Sequence, residues 1–163
     1  MKVKIEDIKK LREKTDAGIS DCRLALEEAN GKWFDKLTIL SEVERMDAAM
    51  KILRKKGIER AEKKAEREVK AGQVFSYVHH TGRVASLVAL ACETDFVAKT
   101  DEFQKLGKEL AMQVAASKPG SVEKLLDEEY MRDPGKKIRE LIKEVIGKLG
   151  ENIQVVDFSV KSI

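Results

Sequence analysis

The sequence predicts an α+β protein: an N-terminal three-helix module, a charged linker helix, and a small core of a three-stranded antiparallel sheet with helices. Three observations lead there. Apolar residues recur at helical spacing up to about residue 57. From Gln73 the pattern switches to short apolar runs broken by a Thr81-Gly82 turn signal. Two strongly amphipathic helical segments then return, around Phe103 to Val114 and Ile138 to Leu149, followed by a last apolar strand. The boundaries this gives are 1–57 for the module, 58–72 for the linker and 73–163 for the core.

In the module, Ile5, Ile8 and Leu11 place one helix, which Thr15-Asp16-Ala17-Gly18 closes. Ser20 or Asp21 is the expected cap of a second, with Cys22, Ala25, Leu26 and Ala29 inward and Asn30-Gly31 at its end. A third is expected from Ala48 to Lys56, with Gly57 closing it. Ahead of it, Ile39, Val43, Met46, Met50 and Leu53 keep one apolar stripe, so this helix is expected to extend toward its N-terminus. Glu59 to Lys70 alternates Glu with Lys and Arg and has almost no apolar face, which reads as a solvated helix.

In the core, Val74 to Val78 and Val84 to Cys92 are the hairpin strands. Thr100 or Asp101 caps a helix that Lys118-Pro119-Gly120 stops. Asp133-Pro134 is expected to open the last helix, proline suiting its first position, and Gly150 to end it. Ile153 to Val160 is the third strand. A three-stranded sheet has open edges, which a second copy of the chain can cover.

Composition narrows the function classes. The 163 residues include 42% hydrophobic and 37% charged, enough for a core wrapped in solvated helices. A net charge of +3 does not demand nucleic acid, and the mixed signs over 59–70 without interleaved aromatics favour a linker over an RNA-binding helix. Two distant cysteines, Cys22 and Cys92, are no disulfide framework and suit a reducing compartment. No apolar run reaches membrane-spanning length and no signal-peptide pattern opens the chain, so the expected location is cytoplasmic.

Catalytic chemistry is poorly represented. Gly147-Lys148 lacks the upstream glycine and the following Ser or Thr of a phosphate loop. The cysteines and His79-His80 lack zinc-ligand spacing, and no Gly-x-Ser-x-Gly elbow is present. His79 and His80, read as neighbours on a strand, are expected on opposite faces. The expectation is a non-enzyme with no metal and no cofactor.

One stretch stands apart. Glu93-Thr94-Asp95-Phe96-Val97-Ala98 follows the apolar strand and precedes the helix signal Thr100-Asp101-Glu102-Phe103. Taken by spacing alone, Thr94 is a helix N-cap, Asp95 faces the helix dipole and Phe96 enters the core.

These residues also carry a resemblance. Tyr77-Val78-His79-His80-Thr81-Gly82-Arg83-Val84 with Cys92-Glu93-Thr94-Asp95-Phe96-Val97-Ala98, the segment from Leu11 to Gly31, and Gly147-Lys148-Leu149-Gly150-Glu151-Asn152-Ile153 resemble, in order, the bacterial elongation factor Ts family. The resemblance implies a ubiquitin-associated-like fold for the N-terminal module. It implies a guanine nucleotide exchange factor that binds elongation factor Tu·GDP and promotes GDP release without a cofactor. Asp95 and Phe96, supported by Thr94 and Val97, are then the element that wedges into the GTPase near its Mg²⁺ site. A histidine, His79 or His80, touches the phosphate-loop side. Lys9, Arg12, Ile19, Ser20 and Arg23 of the module contact a helix of the GTPase domain. A single copy of the core motif implies the short form of the family, in which two chains form a homodimer. Direct nucleic-acid or membrane binding is not expected.

Two departures from the family pattern stand out. Residues 32–45, with Trp33, Phe34 and Leu37, look inserted, and the stretch between Pro119 and Pro134 looks shortened. They keep open a second class of function, an exchange-inactive binding adaptor for a GTPase.

Overall fold

The computed structural model describes residues 3–15, 17–31 and 41–163. Asp16, most of the 32–45 insert and the stripe residue Ile39 lie outside the described residues. The chain divides into two compact units, Met1–Glu59 and Arg60–Ile163. Among the described residues no helix is long and apolar enough to cross a membrane.

The first unit contains α1 (Ile5–Thr15), α2 (Ile19–Gly31) and most of α3 (Glu42–Glu62). Leu11, Cys22, Ala25, Leu26, Ala29, Met46 and Ala49 form its core. Small residues on α2 let its neighbours approach closely. Ile5 does not share the buried side of α1 with Leu11; it is exposed. Ser20 and Asp21 do not cap α2 but lie in its first turn, because the Gly18 carbonyl already accepts the Cys22 N–H at 2.9 Å.

α3 starts six residues earlier than Ala48, at Glu42, and runs through Gly57. Ser41 opens it: its Oγ accepts the Glu44 N–H, while the Glu44 carboxylate accepts the Ser41 N–H at 2.8 Å, a reciprocal capping box. Val43, expected on the buried stripe, is exposed in that first turn. Gly57 costs only about 1 kcal/mol in a helix interior, and good helix formers surround it. Helix stops at Glu62, so the linker helix expected over 58–72 ends there; turns and extended chain occupy 63–70. A charged stretch with no face to bury lacks the packing that sustains a helix.

The second unit is built on the sheet β1 (Ala71–Val78), β2 (Val84–Cys92) and β5 (Ile153–Ser162), antiparallel in the order β1-β2-β5. Gly82, at φ 69°, supplies the left-handed residue of the β1–β2 connection. One sheet face meets α5 (Asp101–Ser117) and α7 (Ile138–Leu149) through Phe75, Val88, Leu90, Phe103, Leu110, Val114, Ile138, Ile142 and Ile146. Ser86 is the polar residue there, and its hydroxyl donates to the Ala111 carbonyl at 2.6 Å. Gly107 lies against the Phe75 ring, and a β-carbon there would overlap it. The other sheet face leaves Val74, Val78 and Leu87 exposed.

α6 (Val122–Asp127), β3 (Glu129–Tyr130) and β4 (Asp133–Lys137) fill the connection between α5 and α7. Asp133-Pro134 therefore does not open the last helix; it belongs to β4, and α7 begins at Ile138. The cause is tertiary. Buried Gln113 on α5 donates to Glu128 Oε2 at 3.1 Å and accepts the Met131 N–H at 3.0 Å. The Tyr130 hydroxyl donates to Glu109 Oε2 at 2.9 Å. These bonds pin the small hairpin to α5 before a helix can start.

Candidate functional site

The turn after β2 is where one side chain is kept out of the core. Cys92 ends the strand fully buried. Thr94, extended at φ −130° and ψ 158°, caps the four-residue helix α4 (Asp95–Ala98), its Oγ1 accepting the Val97 N–H at 3.4 Å. Thr100 then caps α5, its Oγ1 accepting the Phe103 N–H at 3.4 Å, while its hydroxyl donates back to the Val97 carbonyl of α4 at 2.8 Å. Caps within seven residues of each other fasten α4 at both ends. Val97 and Ala98 are buried. Successive helical residues differ by about 100° in direction, so Phe96 must face away from them. It is 79% exposed. Phe75 and Phe103 are buried, and Phe158, Tyr77 and Tyr130 are half-buried, so among the described Phe and Tyr residues it alone projects into water. The expectation that Phe96 enters the core is overturned, while the capping role of Thr94 stands.

The base of this turn is braced from 57 residues away. Glu151 accepts both the Thr94 N–H, at 2.9 Å, and the Thr94 hydroxyl, at 2.8 Å. Next to it the Asn152 N–H donates to Glu93 Oε1 at 2.7 Å. Asn152, itself buried, donates from Nδ2 to the Ala65 and Arg67 carbonyls at 3.2 and 2.7 Å. Gly150 holds φ 80°, reversing the chain out of α7 so that Glu151 reaches Thr94. Spacing along the chain gives no sign of this brace; proximity of Glu93-Thr94 to Glu151-Asn152 arises only because β5 pairs with β2, Cys92 opposite Ile153.

Asp95 is exposed and pairs with Lys99 one turn on, Oδ2 to Nζ 3.0 Å. The hydrogen bond from Lys99, then its charge, hold the Asp95 carboxyl below the ordinary aspartate value. A lowered native pKa adds stability above the unfolded value that is lost as pH falls through the native one. For so exposed a pair the effect on stability is slight. An NMR titration is expected to place Asp95 below an ordinary aspartate, and Lys99→Ala to move it back up. An Asp95 that titrates alike in both proteins contradicts the pairing.

His79 and His80 are not in a strand. β1 ends at Val78, and both lie in the connection to β2 with their rings 4.1 Å apart between centroids. They are neighbours, not residues on opposite faces. His79 Nδ1 is 2.9 Å from Thr81 Oγ1. The structure does not bring them to Phe96: they sit at the other end of β2, whose nine residues at about 3.3 Å each span roughly 30 Å. In the first unit, Lys9 and Arg12 on α1 and Ile19, Ser20 and Arg23 on α2 are all exposed, with Arg23 paired to Glu27 at 2.9 Å. No group of three or more His, Cys, Asp or Glu is placed to hold a metal among the described residues.

The α+β core thus holds Phe96 in water on a doubly capped, braced turn. A sequence model of the family described as Elongation factor TS matches residues 93–162, beginning at that turn. Elongation factor Ts of Thermotoga maritima is 40% identical over 202 aligned positions, covering 98% of this chain and 95% of that relative. The proteins of that name from Fervidobacterium nodosum and Herpetosiphon aurantiacus are 43% and 36% identical, over 96% and 98% of this chain and 72% and 96% of their own lengths. The chain belongs to the elongation factor Ts family. The Thermotoga alignment is longer than the 163 residues here, so that relative carries residues with no counterpart in this chain.

Proposed function

We propose that this chain is a guanine nucleotide exchange factor that binds elongation factor Tu in its GDP-bound form and speeds GDP release by inserting Phe96. The observation that carries this is a phenylalanine held 79% exposed on a braced turn in a member of this family. Burying a phenylalanine is worth about 1.5–3 kcal/mol. Leaving it in water forgoes that gain unless another surface receives the ring. The energy becomes available only in the complex, where it favours whichever GTPase conformation opens a pocket for the ring. If that conformation grips GDP and Mg²⁺ less well, the factor weakens GDP binding, and GDP must weaken factor binding by the same ratio. Asp95, exposed beside the ring, accepts hydrogen bonds or perturbs the ion's field. His79 and His80 serve as a second contact on the phosphate-loop side, roughly 30 Å from Phe96 along β2. Lys9, Arg12, Ile19, Ser20 and Arg23 give a third, from a helical unit read as ubiquitin-associated-like. No bond is made or broken, no cofactor is needed, and the work belongs to the cytoplasm.

The test is release of fluorescent GDP from elongation factor Tu with and without this chain. Acceleration supports exchange. Binding without acceleration supports the adaptor reading instead.

The same reading makes the factor a homodimer; in place of the sheet edge expected from the sequence, we propose the open sheet face as the seat of the second copy. Val74, Val78 and Leu87 lie exposed there, and Leu87, on the central strand, pairs across to Ser76 and Ser159. Sedimentation is expected to give the mass of two chains, and Leu87→Lys to give one. A wild-type monomer at micromolar concentration rules the dimer out.

A further inference from the structure

We infer that Glu151 is a positioning residue for exchange, aiming Phe96 through the two hydrogen bonds it accepts from Thr94. This rests on the reading of Phe96 as the docking element and adds what holds it in place.

The Thr94 hydroxyl has one proton and two lone pairs. As N-cap it must accept the Val97 N–H, and its proton then needs an acceptor of its own. Glu151 Oε1 provides it at 2.8 Å. The result is a directed chain, Val97 N–H to Thr94 Oγ1, then Thr94 O–H to the carboxylate. A charged terminal acceptor polarises the hydroxyl and strengthens the cap. The other carboxylate oxygen takes the Thr94 N–H at 2.9 Å, so the residue is gripped from backbone and side chain together. Phe96 lies between Thr94 and Val97, the two residues this chain ties. Its own ring has no packing to fix it, so its direction is set by the backbone beneath.

A four-residue helix cannot hold itself together. Without Glu151 it retains the Thr100 bond at its far end, while Thr94 loses both bonds to the carboxylate and keeps the Val97 N–H on its Oγ1 and the Ala98 N–H and Cys92 thiol on its carbonyl. The cost is expected to fall on the aim of Phe96 more than on the core, because the brace lies past the end of β2 and neither Thr94 nor Glu151 belongs to the buried cluster.

The experiment is a double-mutant cycle in the GDP-release assay with elongation factor Tu, using the full chain. Glu151→Ala is expected to lower the stimulated rate about tenfold when Phe96 is present. In a Phe96→Ala background it is expected to change the rate less than about twofold, since there is no ring left to aim. Glu151→Gln keeps the size and one acceptor oxygen and is expected to fall between wild type and Glu151→Ala. Amide exchange by NMR gives a readout independent of activity: the Val97 amide is expected to lose protection while Val88 in the central strand keeps its own. Equal losses in both Phe96 backgrounds, or equal loss of protection at Val97 and Val88, overturn the positioning role in favour of general destabilisation. So does full activity in Glu151→Ala when Phe96→Ala alone is defective. A Phe96→Ala protein as active as wild type overturns the docking reading itself, and the positioning role with it. If Glu151→Ala does not fold, Glu151→Gln carries the same cycle.

Discussion

Phe96→Ala is expected to remove most of the GDP-release stimulation while leaving the melting temperature of the protein unchanged. The two halves of this expectation have one cause. The ring is 79% exposed, so truncating it removes little packing and opens no buried cavity. Exposed substitutions of this kind change stability by about 0.5 kcal/mol or less, and alanine is the better helix former for α4. In the complex the balance reverses. Aromatic side chains buried at the centre of an interface cost about 2–4 kcal/mol when cut to alanine, which is roughly 30- to 1,000-fold in the affinity for the receptive conformation. Release of fluorescent GDP measures the first half and a thermal melt the second. A fall in melting temperature of several degrees would mean that the ring packs on the fold and that the exposed position is not its working state. Undiminished exchange would mean that the turn serves no docking role.

Phe96 also shows where sequence reading reaches its limit. The helical phase places Val97 and Ala98 inward only once it is known that β2 ends at Cys92 and that α4 is a separate four-residue turn from α5. Spacing marks Thr94 as a cap and narrows the next to Thr100 or Asp101, because a cap depends on residues three positions away; the structure selects Thr100. Strands and amphipathic helices were legible for the same reason: their signal is periodic and local. The errors fell where a distant partner decides. Asp133-Pro134 carries every local mark of a helix start, yet Gln113 and Glu109 hold the neighbouring residues as a hairpin. The stretch from Lys63 to Lys70 is composed like a helix, but two of its carbonyls are taken by the Asn152 amide. Glu151 and Asn152 were noticeable as residues of a family motif, while their task of holding Glu93 and Thr94 depends on strand pairing that no spacing reveals. His79 and His80 do not continue the strand: the apolar run ends at Val78, and so does β1.

A second phenylalanine on the same stretch is expected to behave in the opposite way. Phe103→Ala should destabilise the unit Arg60–Ile163 by about 3–5 kcal/mol and lower exchange only as far as it unfolds the protein. Phe103 is fully buried in the first turn of α5 and meets the Phe75 ring at 5.9 Å between centroids, tilted by 55°. Truncation leaves a cavity beside the Phe75 ring. The Phe75 ring also lies against Gly107, one turn along the same helix as Phe103, where even a β-carbon would not fit, so α5 is already as close as its backbone permits. Collapse would require α5 to shift, and with it the Thr100 cap that fastens the end of α4. The site is therefore expected to stay open, which puts the loss toward the upper part of that range. Domains of this size have about 5–15 kcal/mol in all, so the melting temperature should fall by well over ten degrees, at roughly 4–8 °C for each kcal/mol. Urea unfolding with an unchanged slope would attribute the loss to the native state. A loss below about 1 kcal/mol would show that Phe75 and α5 move together into the space, and that the base under Phe96 is softer than its hydrogen bonds indicate. The pair of substitutions thus separates the two uses of one side chain: Phe103 gives the core its stability, and Phe96, a few residues earlier, is kept out of that core so that its burial is left for a partner.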